Sequence, residues 1–226
     1  MPNRDPDHWL RWHDGYGDPS SSLSRRLAVV QHHVGSALAT ASPGPITILS
    51  LCSGQGRDVL EVLRDHRRRQ DVRARLVELD PTNARIAREA AAGIDARAIE
   101  VLEADAGWTD ASMGASPADI LLLVGIFGNV PEADIEQTIA AVPMLCRVGG
   151  ITIWTRGRRP PDMTPVIRDW FARAGCDELA FVAPEDALFS VGVERFVGRP
   201  VPPTSGHRLF AFDASASEGP QPRDLP

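Results

Sequence analysis

Two glycines one residue apart, Gly54 and Gly56, lie in the run Ile46–Asp58 (ITILSLCSGQGRD), where an apolar strand turns straight into a helix. Glycine lacks a β-carbon, so such a turn can take positive φ and its backbone can approach a ligand closely. The helix that follows would offer unpaired N–H groups and the positive end of its dipole to an anionic group. Two acids follow later apolar runs. Asp80, in VELDP, comes about two dozen residues after the turn, where a carboxylate can accept from two vicinal ribose hydroxyls at once. It could equally cap the helix that Pro81 begins. Glu78 is expected to point to a different part of the strand surface. Asp105, in LEADAGW, can accept from an exocyclic amine or serve as an ordinary loop aspartate. A fourth apolar run ends in GIFGNVPEAD, where Gly125 and Gly128 permit close backbone approach and Asn129 adds a neutral amide.

The pattern predicts the elements that must carry these residues. Leu23, Leu27, Val30, Val34 and Leu38 recur at helical spacing, so Leu23–Thr40 reads as an amphipathic helix. Strands are predicted at Ile46–Leu51, Ala74–Leu79, Ile99–Leu102, Ile120–Val124, Ile151–Thr155 and near Leu179–Val182. Helices fall between them: Gly56–Arg64, Pro81–Ala92, Ala133–Leu145 and Thr164–Ala174. Phe189–Val197 and Arg208–Phe212 both look strand-like. Arg208–Phe212 is favoured as the last, antiparallel strand, with the segment between as an insertion near a pocket mouth. Such alternation gives a doubly wound α/β fold: a mostly parallel, seven-stranded sheet, helices on both faces and an antiparallel last strand. Residues 1–45 are expected to form an N-terminal helical lid, 46–212 the α/β domain, and 213–226 a disordered tail. Ligands of such sheets bind outside the carboxyl ends of the strands, at the topological switch point.

Composition narrows the partners. The net charge is −6, and no basic arm or face is visible, which argues against nucleic acid as a partner. The cysteines Cys52, Cys146 and Cys176 are odd in number with no close pair, so neither a disulfide framework nor a zinc site is expected. No metal-ligand cluster is visible. No apolar run is long enough to span a membrane, and no signal-peptide core is seen, so a soluble cytoplasmic protein is expected. No feature sets an oligomeric state.

A glycine turn, an acid after strand two, an acid after strand three and a small-residue loop after strand four occur here in order. That order resembles the class I S-adenosylmethionine-dependent methyltransferases over residues 46–212. CSGQGRD and FGNV look like an actinobacterial branch tied to small-molecule and secondary metabolism. The resemblance implies S-adenosylmethionine as cofactor. By it, Cys52, Ser53, Gly54, Gln55 and Gly56 line the methionine moiety, Asp80 with Pro81 holds the ribose, and Asp105 with Ala106 holds adenine. Gly125, Ile126 and Phe127 border the cofactor from the fourth loop. The chain departs from the family motif at Ser50, where an acid is usual, and at Cys52, where the first glycine is usual.

Methyl transfer from a sulfonium is an in-line displacement, so the protein must chiefly align the reactants and exclude water. A base is needed only if the acceptor must lose a proton; His13, Tyr16 and Asn129 are the candidates, with His33 a further one. A small aromatic or heterocyclic acceptor, such as an indole or phenol, would suit Trp9, Trp12, Tyr16, Phe127, Asn129, Trp154 and Phe189, with Arg156 for an acceptor carboxylate. Competing readings are an RNA or protein methyltransferase, an NAD-dependent oxidoreductase and a non-catalytic binding module. In the second of these, Val59 stands where a dinucleotide fingerprint needs its third glycine.

Overall fold

A computed structural model of the chain describes Asp18 and residues 21–212. The chain runs α1 (Ser22–Thr40), β1 (Ile46–Leu51), α2 (Arg57–Asp65), β2 (Val72–Glu78), α3 (Pro81–Ala91), β3 (Ala98–Glu103), β4 (Ala118–Leu123), α4 (Glu132–Ala140), α5 (Val142–Leu145), β5 (Cys146–Gly157), α6 (Thr164–Arg173), β6 (Cys176–Val182) and β7 (Phe189–Phe196). The strands form one seven-stranded sheet in the order β3-β2-β1-β4-β5-β7-β6. Strands β1 to β5 pair in parallel, and β7 is antiparallel to both β5 and β6. The chain moves outward from β1 to β3 and returns to β4 on the other side of β1, so the switch point lies between the carboxyl ends of β1 and β4.

Alternation along the strands divides the core. Ile48, Leu76, Ile120, Leu122 and Ile153 face α1, α2 and α3, where Val30, Val34, Leu38, Val59, Leu60 and Leu63 are buried. Leu49, Leu51, Val77, Leu121, Leu123 and Trp154 face the opposite way, against Ile135, Ile139, Leu145, Ile167 and Phe171 of the second helical layer. The described part of the expected lid, α1, is thus a layer of the domain itself; it packs on α2, β5 and β7. Ser21 caps it, accepting from the Ser24 N–H at 3.1 Å.

Three expectations change. The last strand is Phe189–Phe196, not Arg208–Phe212, so the supposed insertion contains a paired strand. Residues 207–209 do run antiparallel, but to 107–109 in the loop after β3: Thr109 N–H donates to His207 O and Leu209 N–H to Gly107 O. The extended, alternating character read at 208–212 is real, and its partner is a loop. The helix expected at Ala133–Leu145 breaks at Ala141, because Pro143 cannot continue an α-helix and would clash with the preceding turn.

Trp154 sits at the centre of the second layer. Its ring stacks on Phe171 at a centroid distance of 5.7 Å and lies 6.2 Å from Phe127. Gly192, its antiparallel partner on β7, makes room for the indole; a β-carbon there would lie 2.1 Å from Trp154 Cε2. The indole N–H donates to Glu194 Oε1 at 3.1 Å. Glu194 is almost wholly buried, and burial pushes its pKa up to about 7, against the Trp154 bond and the Arg168 charge. The folded protein therefore holds this proton more tightly than the unfolded chain does. The stability it contributes is complete at low pH and is lost as pH rises through about 7. We expect the native protein to lose on the order of 3 kcal/mol from this group between mildly acidic and alkaline pH. Glu194→Gln, which can still accept from the indole, should flatten that profile in urea denaturation followed across pH.

Candidate functional site

The site is assembled where β1 turns into α2. Cys52, Gly54 and Gly56 all have positive φ, at 54°, 55° and 74°. Cys52 is the only non-glycine residue among those described to do so, and it stands where the family motif has glycine. Gly56 is fixed twice over: its φ is left-handed, and a β-carbon would lie 2.8 Å from Leu60 Cδ1 and 3.0 Å from Leu76 Cδ1. It is also the N-cap of α2, so no side chain caps the first turn of that helix. Ser53 donates its N–H to Val77 O at 2.9 Å, which ties the turn to β2, while its buried hydroxyl meets no partner.

Glu78, at the end of β2, faces this turn, contrary to the sequence expectation. Its Oε2 accepts from Gly54 N–H at 2.7 Å and its Oε1 from Asp80 N–H at 2.8 Å. Burial raises its pKa, and those backbone N–H groups oppose the rise. Asp80 has the other role open to it in the sequence. Its Oδ1 accepts from Asn83 N–H at 2.8 Å, capping α3, and Pro81 occupies the first turn. Leu79, between the two acids, is 57% exposed. A surface leucine beside two carboxylates was not singled out in the sequence, although the E-L-D-P order contains it.

The loop after β3 adds Asp105, Ala106 and Trp108. Asp105 Oδ1 accepts from Gly107 N–H at 2.9 Å, and its Oδ2 accepts from Arg208 Nη1 at 2.8 Å. The Arg208 guanidinium lies 5.0 Å from the Trp108 ring centroid, and Trp108 is 42% exposed. Sequence reasoning missed Arg208, because the contact spans about a hundred residues and comes from a segment taken as a sheet strand. Burial, then the charges of Glu78 and Asp105, push the Cys52 thiol well above its ordinary value. Both acids therefore act on one turn, and Cys52 behaves as a packed thiol and not as a reactive thiolate.

On the other side of the switch point, the loop after β4 is held by Gly125 N–H donating to Thr155 Oγ1 at 2.9 Å and Asn129 Nδ2 donating to Gly125 O at 2.7 Å. Gln55 Nε2 donates to Asn83 Oδ1 at 3.4 Å, and Arg57 donates to Gln55 Oε1. Arg156, at the end of β5, reaches the same loop and donates from Nη1 to Phe127 O. The aromatic candidates are less available. Ile126, Phe127 and Trp154 are fully buried, and Phe189 packs in the core on the α1 side. Trp154 in particular lies beneath the sheet, bonded to Glu194, and does not front the strand ends. Trp9, Trp12, His13 and Tyr16 lie outside the described residues. A hollow of about 360 Å³ lined by Arg88, Ala91, Ala92, Ile94, Ile99 and Val101 lies on α3 and β3, apart from these groups. Among the described residues no group of three or more His, Cys, Asp or Glu is placed to hold a metal ion, and no helix is long and apolar enough to cross a membrane.

The fold has many solved counterparts. A magnesium protoporphyrin IX methyltransferase from Synechocystis, with bound S-adenosylmethionine, superposes with a TM-score of 0.64 at 12% identity, covering 85% of this chain and 94% of that one. A TehB-like S-adenosylmethionine-dependent methyltransferase from Corynebacterium glutamicum gives 0.59 at 15% identity, over 85% and 100%. The 1,6-didemethyltoxoflavin N1-methyltransferase of Burkholderia thailandensis, with its acceptor and S-adenosylhomocysteine bound, gives 0.57 at 16% identity, over 88% and 93%. No protein-family model and no curated protein matches the chain. The likenesses show that the chain has the class I methyltransferase fold.

The division of labour between the two acids after β2 has a direct check. Asp80→Ala removes the cap of α3 and should lower the unfolding free energy by about 1 kcal/mol, read from urea denaturation at neutral pH.

Proposed function

We propose that this chain is an S-adenosylmethionine-dependent methyltransferase acting on a small aromatic or heterocyclic molecule, of the kind met in natural-product metabolism. The observation that carries the reading is the positive-φ turn after β1 with the Glu78 carboxylate bonded into it and the Asp80 and Asp105 carboxylates following β2 and β3. The residues present fit the nucleoside. Glu78 and Asp80 retain lone pairs for ribose hydroxyls. Asp105 and Ala106 would meet the edge of the adenine, between Leu79 and Trp108. Ser53 to Gly56 would take the methionine part, where the Ser53 hydroxyl awaits a partner. We assign Glu78 the larger share in ribose binding, because its carboxylate faces the turn while that of Asp80 caps a helix.

When bound, the cofactor supplies an electrophilic methyl on a sulfonium. What the chain supplies is placement. The Thr155 and Asn129 bonds hold the loop after β4 in one shape beside the turn, and Arg156 braces it from β5. Asn129 is then a positioning residue through its bond to Gly125 O, and His13 and Tyr16 remain the candidates for a base. A flat acceptor is supported by the neighbours of this fold, whose own acceptors include a magnesium porphyrin and didemethyltoxoflavin.

Calorimetry tests the reading. S-adenosylhomocysteine should bind and NAD should not; binding of NAD alone would refute it. Glu78→Ala should weaken S-adenosylhomocysteine by about 1–3 kcal/mol, the loss of a charged hydrogen-bond partner, and Asp80→Ala by less. The reverse order would return the ribose to Asp80.

A further inference from the structure

Three arginines stand at the carboxyl end of β5; Arg159 is exposed, and the fold uses the other two, Arg156 and Arg158, differently. Arg158 is fully engaged with backbone carbonyls. Its Nε donates to Phe189 O at 3.3 Å, and its Nη2 donates to Ala187 O at 2.6 Å and to Pro184 O. It straps the loop between β6 and β7 to the strand end. Arg156, half-buried like Arg158, is less engaged. Its Nη1 donates to Phe127 O, while its Nε is sealed from water and meets no acceptor. Arg75, Arg168 and Arg208 pair with Glu100, Glu178 and Asp105. Arg156 has no such acid within ion-pair distance among the described residues. Asp162 acts on it only through space, since Asp162 Oδ1 accepts from the Thr164 N–H and hydroxyl at the start of α6. A guanidinium in this setting carries a desolvation cost with no anion to offset it.

Its place gives the vacancy a meaning. Arg156 leans on the loop 125–129, where a β-carbon added at Gly128 would lie 3.8 Å from Arg156 Nη1. That loop borders the methyl-transfer site in the function proposed above. With Nη1 committed to Phe127 and Nε sealed, Nη2 is the donor left to meet a ligand oxygen through a charge-assisted bond. A dianionic phosphate would call for a second cation; Arg158 is held by carbonyls and Arg159 is exposed, so phosphate is kept as an arm of the test. We propose that Arg156 anchors a carboxylate on the acceptor, so that the molecule methylated is an aromatic or heterocyclic acid. The proposal rests on the methyltransferase reading and names the substrate class for the same site.

The test uses the full chain saturated with S-adenosylhomocysteine and two matched pairs of probes. These are indole-3-carboxylate with its carboxamide and 4-hydroxybenzoate with its amide, plus phenyl phosphate, each titrated by calorimetry. At least one acid should bind about tenfold or more tightly than its amide. Arg156→Gln should erase that preference, and Arg156→Lys should keep part of it. The proposal is overturned if no acid outbinds its amide, if the preference survives Arg156→Gln, or if phenyl phosphate outbinds both acids. Should Arg156→Gln not fold, the native chain and Arg156→Lys decide by the same comparison. If S-adenosylhomocysteine does not bind, the methyltransferase reading fails separately. An acid preference that Arg156→Gln abolishes in the chain alone would then still establish the anion site.

Discussion

One carboxylate holds the site together. Glu78 accepts from Gly54 on one side and Asp80 on the other, and so fastens the turn after β1 to the entry of α3. Neither N–H belongs to a strand or helix ladder, so each would otherwise need water or a ligand. Burial works against the charge of Glu78, and backbone donors restore it. With the turn clamped in this way, the run of positive φ from Cys52 to Gly56 is held in place by a cross-strand contact as well as by its glycines. The left-handed conformation of Cys52, uncommon for a residue with a side chain, is a local cost that this framework imposes.

The switch point separates charge. Glu78, Asp80 and Asp105, the last paired with Arg208, lie on the β2 and β3 side, and Arg156, paired with no acid among the described residues, lies on the β5 side, with the neutral loop 125–129 between them. The helices and inner strands beneath are apolar, so these charges interact across little screening protein mass only at the strand ends, where water or a ligand meets them. The same sheet tolerates a second buried acid, Glu194, far from the strand ends, because Trp154 donates to it and because it can hold a proton near neutral pH.

Much of this was legible in the residues. Strand β1, the glycine turn and α3 are local events: apolar runs, glycine at positive φ and an Asp-Pro start each declare themselves over a few residues. What failed was non-local. Nothing in VELDP says which acid caps a helix and which turns back to the preceding strand; that depends on the parallel register of β1 with β2. Trp154 and Phe127 carry the aromatic character expected of a pocket, yet strand alternation directs Trp154 into the layer beneath, and only the facing Gly192 shows why the indole fits there. Phe189–Val197 and Arg208–Phe212 both look strand-like in the sequence, and the second is the one it favours. The first took the place between β5 and β6 because it follows β6 closely and pairs with both, whereas the second meets only a loop.

That second segment lies beyond the last strand but not beyond the domain. Leu209 and Phe210 are buried in the same layer as Trp154, Arg208 ties Asp105 to the face of Trp108, and Thr138 donates its hydroxyl to Leu209 O at 3.1 Å. A chain cut after Phe196 would keep all seven strands and still lose the Arg208 partner of Asp105 and the apolar cover that Leu209 and Phe210 give α4. The packed unit of this fold therefore runs past the last strand at least to Phe210, and a boundary drawn by counting strands would fall short of it.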